Sequence, residues 1–123
     1  MEELDVLCAA NGYEEKFYFN DKYAKLPKEV KDELKIMCVL FVEDIGGVLS
    51  LEFDKDGNLE FSCRVADDDF NFDDIGCELK IRKLRKEKKE LLAAVELYHR
   101  MLDKVTKGED ISQDLLNLNN DTE

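Results

Sequence analysis

The residues most able to do chemistry form a basic run, KIRKLRKEKK, over residues 80–89. Seven cations and one acid give this run a net charge of +6 in a chain of net charge -12, so the remaining residues sum to -18. Clustered ammonium and guanidinium groups bind carboxylates and phosphates. Such asymmetry predicts a partner surface in this chain, a second copy or another molecule. The candidate interaction patch consists of Lys80, Arg82, Lys83, Arg85, Lys86, Lys88 and Lys89.

Three interpretations of the basic run are open. The simplest is a solvated helix face, because exposed charge costs little. The second pairs the cations with acids of this chain or of a copy, and the third is binding of phosphate or small anionic ligands. Nucleic acid is disfavoured, since the acidic remainder repels a polyanion and the aromatic residues do not interleave with the cations. The candidate acidic counterpart consists of Asp67, Asp68, Asp69, Asp73 and Asp74.

Two further sets of residues could support acid–base chemistry. Glu43 and Asp44 stand just before Gly46-Gly47, and paired carboxylates can exchange protons if a desolvated pocket holds them together. The sequence leaves their role open and favours ordinary charge at a helix end. His99 is predicted at the margin of the last helix, with no triad partner in the sequence. The sequence therefore favours a non-enzymatic protein and leaves a carboxylate-based enzyme as an alternative.

Metal and cofactor sites are not predicted. The segment Asp54–Asn58 resembles the start of a calcium loop, but its glycine is fourth rather than sixth and strands flank it, so a hairpin turn is favoured. The acids of residues 67–74 favour capping of the following helix over binding of a divalent metal. No C-x-x-C pair occurs, and reduced, mostly buried thiols are expected. The four thiols belong to Cys8, Cys38, Cys63 and Cys77.

Aromatic side chains crowd a short region near the N-terminus. If residues 16–20 form a strand, successive side chains point to opposite faces, so some of them are exposed. An exposed aromatic patch at a protein interface and core packing against the helices are the two interpretations. The candidate aromatic patch consists of Tyr13, Phe17, Tyr18, Phe19 and Tyr23.

The elements that must position these residues alternate between strands and helices. Residues 4–10 and 16–20 are typical of a hairpin, and a second hairpin is predicted from residues 48–53 and 59–65. Between them, apolar residues at helical spacing predict a helix from Pro27 to Ile45, ended by Gly46-Gly47.

A long C-terminal helix is predicted over residues 75–105. Asp73 or Asp74 caps it, and its apolar stripe is interrupted only at Lys88. The predicted fold class is α+β: two antiparallel β-hairpins form a roughly four-stranded sheet, packed by a central helix and the long C-terminal helix. Residues 1–106 are expected to form one domain, and residues 107–123 a flexible polar tail.

Three stretches of the sequence carry a resemblance to a known family. They read LCAANGYEEKFYFN, ELKIMCVLFVEDIGGVLSLEFD and DDIGCELKIRKLRKEKKELLAAVELYHR. They resemble a family of short, uncharacterised proteins from gut-dwelling clostridia, known only as a domain of unknown function. The likeness covers residues 6–105, and the E-D-I-G-G turn with the hairpin after it is its most specific part. It implies a bacterial cytoplasmic protein and transfers no functional residue.

The sequence favours an acidic interaction or regulatory protein of the cytoplasm. The start, MEELDV, lacks the layout of a secretory signal, and the longest apolar run, residues 36–42, is far shorter than the ~20 residues of a membrane span. The expected partner is another protein or a second copy, as in a homodimer, with no membrane and no nucleic acid. Binding of small anionic or phosphorylated ligands at residues 80–89 is the alternative.

Overall fold

Four antiparallel strands form one sheet in a computed structural model that describes residues 5–106. The sheet order is β2–β1–β3–β4, so the two hairpins meet where β1 pairs with β3. This arrangement confirms the predicted α+β class with two antiparallel hairpins in one sheet. The strands are β1 (Asp5–Asn11), β2 (Lys16–Phe19), β3 (Val48–Phe53) and β4 (Leu59–Arg64).

The turn between β3 and β4 uses the side chain of its first residue. The Asp54 carboxylate accepts the N–H groups of Asp56 at 2.8 Å and Asn58 at 2.9 Å. Gly57 has φ 82°, a backbone conformation that disfavours side chains. The backbone N–H of Asn58 lowers the pKa of Asp54 because it stabilises the charged form. Asp54–Asn58 is therefore the predicted hairpin turn.

The helices pack on one face of the sheet. They are α1 (Lys28–Asp44), α2 (Asp74–Glu87) and α3 (Lys89–Thr106), with a short 3₁₀ turn at Asp21–Tyr23. The Sγ atoms of Cys8 on β1 and Cys38 on α1 lie 3.9 Å apart. On the same face, the ring centroids of Phe53 and His99 lie 4.0 Å apart in a stacked arrangement, so α3 contacts β3.

The α1 helix ends in the glycine pair identified in the sequence. The N–H of Gly46 donates to the carbonyl of Val42 at 2.9 Å, and Gly46 has φ 92°. This conformation at the end of the helix confirms the prediction that glycine is needed there. Gly47 also has a positive φ, 74°, and its carbonyl accepts the N–H of Gly12 at 2.8 Å. The glycine pair therefore joins the end of α1 to the first hairpin.

The C-terminal helical region is two helices rather than the single long helix predicted. Lys88 separates α2 from α3, with φ -105° and ψ 21°, outside the helical range. A straight helix over residues 75–105 would be about 46 Å long. The six-residue strands below it span only about 20 Å. The break lets α3 return over the sheet, and it falls where the apolar stripe is interrupted.

The core joins both hairpins and all three helices through one cluster of buried side chains, among them Leu34, Phe41, Leu51 and Val95. Among the described residues, no helix has the length and apolar content needed to cross a membrane. The predicted tail of residues 107–123 lies outside the described part of the chain.

Candidate interaction surface

The basic run lies on α2 and continues into α3. Asp73 caps α2, since its side chain accepts the N–H of Gly76 at 2.9 Å. Cys77 and Leu84 are buried and therefore fix the side of α2 that faces the core. Because successive residues advance by about 100°, one line of four residues runs along the opposite side. We call this line the α2 stripe, and it consists of Ile75, Leu79, Arg82 and Lys86.

Four of the seven cations of the basic run have protein partners. Arg85 belongs to the fold, because its guanidinium donates to the carbonyl of Leu59 at 3.1 Å and lies 5.3 Å from the centre of the Phe61 ring. The other three make ion pairs with acids outside the predicted acidic segment. These are Lys80–Asp44 at 3.6 Å, Lys83–Glu87 at 3.8 Å and Lys88–Glu33 at 3.1 Å.

The other three cations, Arg82, Lys86 and Lys89, are exposed and have no carboxylate within ion-pair distance among residues 5–106. Arg82 and Lys86 are one helical turn apart, and like charges at this spacing destabilise a helix by about 0.2–0.5 kcal/mol. The apolar half of the same stripe is also exposed, with Ile75 73% and Leu79 58% accessible. The α2 stripe thus combines unpaired positive charge with uncovered apolar surface.

The predicted acidic counterpart lies at the other end of α2. Asp73 caps the helix, and Asp69 accepts the hydroxyl of Tyr13 at 2.8 Å. Within residues 5–106, no ion pair joins any of Asp67, Asp68, Asp69, Asp73 and Asp74 to the basic run. The acids end at Asp74, the first residue of α2, and the basic run begins six residues later at Lys80. Pairing of these acids with cations of a second molecule stays a prediction.

The predicted aromatic patch is divided among three environments. Tyr23 is fully buried, and Phe17 and Phe19 pack against the core from the helix side of β2. Tyr18 points to the opposite face and is exposed. Tyr13 is also exposed, but its hydroxyl contacts Asp69 and accepts the N–H of Ala66 at 3.0 Å. These five residues do not form one continuous surface.

A buried polar cluster joins three elements that are distant in the sequence. The hydroxyl of Tyr23 donates to Oδ1 of Asp5 at 2.8 Å, and it lies 2.9 Å from Nδ1 of His99. Since the hydroxyl has one hydrogen, which Asp5 accepts, Nδ1 of neutral His99 donates to the Tyr23 oxygen. Burial raises the pKa of Tyr23, and the hydrogen bond to Asp5 adds to this shift.

His99 is therefore a core residue, not the marginal residue predicted from the sequence. Its only sequence signal is its position beside Tyr98, a member of the apolar stripe. Burial lowers the pKa of His99, although the Asp5 carboxylate opposes this shift. The cluster links α3 to β1 and to the 3₁₀ turn, and it therefore fixes the position of α3 over the sheet.

The lowered pKa of His99 predicts a loss of stability in weak acid. The unfolded chain binds a proton on this histidine below its ordinary pKa of about 6.5, whereas the folded protein resists protonation. The free energy of unfolding is therefore expected to fall between about pH 7.5 and about pH 5.5, by at most about 1.4 kcal/mol per pH unit. Urea unfolding at the two pH values measures the change. A His99→Gln variant should show a shallower dependence, and equal slopes in the two proteins would contradict this origin.

The acid pair Glu43 and Asp44 does not converge on one site. Asp44 makes the ion pair with Lys80, on the side of α1 that faces α2. Glu43 lies on another side of α1 and lines an open cavity of about 730 Å³ next to the first hairpin. The two carboxylates therefore face different surroundings and are not held together in one desolvated pocket.

The cysteines form contacts within the core. A hydrogen bond between the Cys8 and Cys38 thiols raises the pKa of Cys8, with burial as the second cause. Burial raises the pKa of Cys63 to about 12, with a smaller contribution from Cys77. High pKa values keep both groups as thiols, which are poor nucleophiles and poor metal ligands. Within residues 5–106, no group of three or more His, Cys, Asp or Glu side chains is placed to hold a metal ion.

Comparison with known proteins gives one finding. The model of a family of unknown function, DUF6145, matches residues 4–108. No curated protein and no solved structure matches the chain. The matched region includes the glycine pair, the second hairpin and all of α2.

Proposed function

This chain belongs to DUF6145, a family of unknown function, so we infer its role from its own surface. We propose that it is an interaction protein that self-associates through the α2 stripe. The observation that carries the proposal is the exposure of Ile75 and Leu79 in line with Arg82 and Lys86, two cations without a carboxylate partner among the described residues. The smallest expected form is a homodimer.

The composition of the α2 stripe fits a protein interface. Interfaces commonly surround an apolar centre with polar and charged groups. A partner with acids opposite Arg82 and Lys86 would remove the repulsion between them, while Ile75 and Leu79 would lose contact with water. Opposite charges would also speed association and select the orientation. We further propose a regulatory role and a location in the bacterial cytoplasm. The four cysteines, none of which forms a disulfide, support the location.

Sedimentation velocity of the full chain tests the proposal. We expect a concentration-dependent increase in mass at micromolar protein concentrations. The association constant should fall when salt is raised from about 0.05 M to about 0.5 M, because the Debye length shrinks from roughly 14 Å to roughly 4 Å. A chain that stays monomeric at high micromolar concentration in low salt would contradict self-association.

A matched pair of variants locates the surface. Leu79→Ser removes the apolar centre of the α2 stripe, whereas Leu97→Ser removes another exposed leucine, from α3. We expect at least about a tenfold loss of association for Leu79→Ser and little change for Leu97→Ser, since transferring one leucine side chain is worth about 1.5–3 kcal/mol. Equal effects of the two substitutions would place the interface elsewhere.

A second candidate function rests on Arg82, Lys86 and Lys89. These three exposed cations, without carboxylate partners in residues 5–106, could bind a small anionic or phosphorylated ligand. Thermal-shift measurements with inorganic phosphate, nucleotides and heparin test this alternative, because a ligand that binds only the folded state raises the melting temperature. An unchanged melting temperature at millimolar phosphate would contradict it.

A further inference from the structure

A second exposed line of residues runs along α1. We call it the α1 stripe, and it consists of Glu29, Glu33, Ile36 and Leu40. Ile36 is 58% and Leu40 57% accessible, although they belong to a helix whose other side is buried. Both line an open groove of about 590 Å³ between α1 and α2. Like the α2 stripe, the α1 stripe has an apolar half that no described element covers.

The two stripes have the same spacing and opposite charge. Along the chain, the steps between the four residues are four, three and four positions in both helices. On an α-helix, this spacing keeps the four side chains within an arc of about 60° and a length of about 16 Å. In α1 the acidic half comes first, and in α2 the apolar half comes first. An antiparallel arrangement therefore places apolar against apolar and acid against base at all four positions.

The two stripes cannot meet within one molecule. The helices already lie side by side and antiparallel, joined at one end by Lys80–Asp44 and at the other by Lys88–Glu33. The α1 stripe borders this contact, because Glu33 pairs with Lys88 and Ile36 and Leu40 line the groove beside it. The α2 stripe lies on the opposite side of α2 from the buried Leu84 and is directed away from α1. A second molecule is needed to cover either stripe.

Building on the proposed function, we infer that the α1 stripe of a second copy is the partner surface of the α2 stripe. In the antiparallel register, Ile75 packs against Leu40 and Leu79 against Ile36 of the other molecule. Arg82 then faces Glu33, and Lys86 faces Glu29. Glu33 is available for this contact because its side chain is still 47% accessible in its pair with Lys88.

The parallel arrangement of the two stripes is unfavourable, and for this reason we infer the antiparallel one. In a parallel arrangement, the cations of α2 would face the apolar half of α1, and the acids would face Ile75 and Leu79. Charged groups would then lose water without gaining a partner, which costs free energy. Because the two stripes are different surfaces, a two-fold homodimer makes the contact twice, once in each direction, whereas a contact made in one direction only continues from molecule to molecule unless a ring closes.

Two charge-reversal variants test the partner surface directly. The first carries Arg82→Glu and Lys86→Glu, and the second carries Glu29→Lys and Glu33→Lys. Each variant alone should lose at least about tenfold in association constant, since like charges across an interface repel. An equimolar mixture should recover association, because each reversed stripe then meets its complement. Sedimentation velocity at low salt measures all three samples.

Matched controls separate this effect from changes in net charge and folding. Lys25→Glu with Lys55→Glu changes the charge by the same amount as the first variant at exposed sites outside both stripes, and we expect it to associate like the unmodified chain. Circular dichroism confirms that each variant is folded. If Glu33→Lys destabilises the protein by breaking the pair of Glu33 with Lys88, the single substitution Glu29→Lys replaces the double substitution as the α1 variant.

The outcomes distinguish this inference from the proposed function. If the α2 variant loses association while the α1 variant does not, the α2 stripe remains the interface but the α1 stripe is not its partner. The inference is also overturned if both variants dissociate and their mixture stays monomeric. Unchanged association in both variants would overturn the proposed function as well.

Discussion

Replacing Gly47 with alanine is expected to destabilise the protein by about 2–5 kcal/mol. Two costs combine at this position. Gly47 has φ 74°, where a side chain costs about 1–2 kcal/mol. A Cβ atom would also lie 2.9 Å from the backbone carbonyl oxygen of Arg64, and a backbone atom cannot move aside as a flexible side chain can. Urea unfolding measures the change in the free energy of unfolding.

Gly46 supplies the matched control for this prediction. Its φ is 92°, but a Cβ atom there would meet only the Phe72 ring, at 4.0 Å. Gly46→Ala should therefore cost only the backbone strain, about 1–2 kcal/mol. Equal losses of stability in the two variants would show that the Arg64 carbonyl moves away from the added Cβ atom without a cost in free energy. The comparison thus separates strain from crowding within one turn.

The sequence predicts the fold well where local signals agree. For the second hairpin, alternating strands surround a turn whose aspartate and glycine have one favoured geometry, and Asp54 and Gly57 adopt it. The end of α1 at Gly46 is predicted for the same reason, since few residues other than glycine adopt a positive φ. In both places, the deciding interactions lie within a few residues of each other.

The break at Lys88 has a sequence signal that a local analysis undervalues. Lys88 is the one charged residue in an otherwise apolar stripe, and helix propensity alone does not end a helix at lysine. Tertiary packing ends the helix at Lys88, because α3 must change direction there to reach the sheet. Its Glu96 accepts the N–H of Leu59 at 2.8 Å at the edge of β4. No property of residues 80–95 alone specifies that contact.

The candidate surface is predictable only in part. The clustering of cations is visible in the sequence. Which of the cations find a partner depends on the acids of α1 and the carbonyl group of β4 that lie next to α2. Arg85 illustrates this, because its guanidinium binds the Leu59 carbonyl rather than an acid. The polar cluster of Tyr23 and His99 is invisible for the same reason: 76 residues separate the two partners.

Tyr23→Ala is the second substitution with a large expected effect, about 3–5 kcal/mol. Tyr23 is fully buried, and its ring lies 5.3 Å from the Phe53 ring between centroids. Truncation leaves a cavity and removes the hydroxyl that connects Asp5 to His99. A loss of this size is a large fraction of the 5–15 kcal/mol typical of a domain, so denaturant unfolding will detect it clearly.

Tyr23→Phe separates the ring from the hydroxyl and remains informative if the alanine variant does not fold. Phenylalanine keeps the packing but removes the hydrogen bonds of the hydroxyl to the Asp5 carboxylate and to Nδ1 of His99, which should cost about 1–3 kcal/mol. Asp5 keeps its ion pair with Lys22, and Nδ1 of His99 lies 3.5 Å from Oδ2 of Asp5. Combining Tyr23→Phe with His99→Gln should cost less than the sum of the two single changes, because residues in one hydrogen-bond network are coupled. Strict additivity in this double-mutant cycle would contradict the network, since it would mean that the hydroxyl and the imidazole stabilise the core independently.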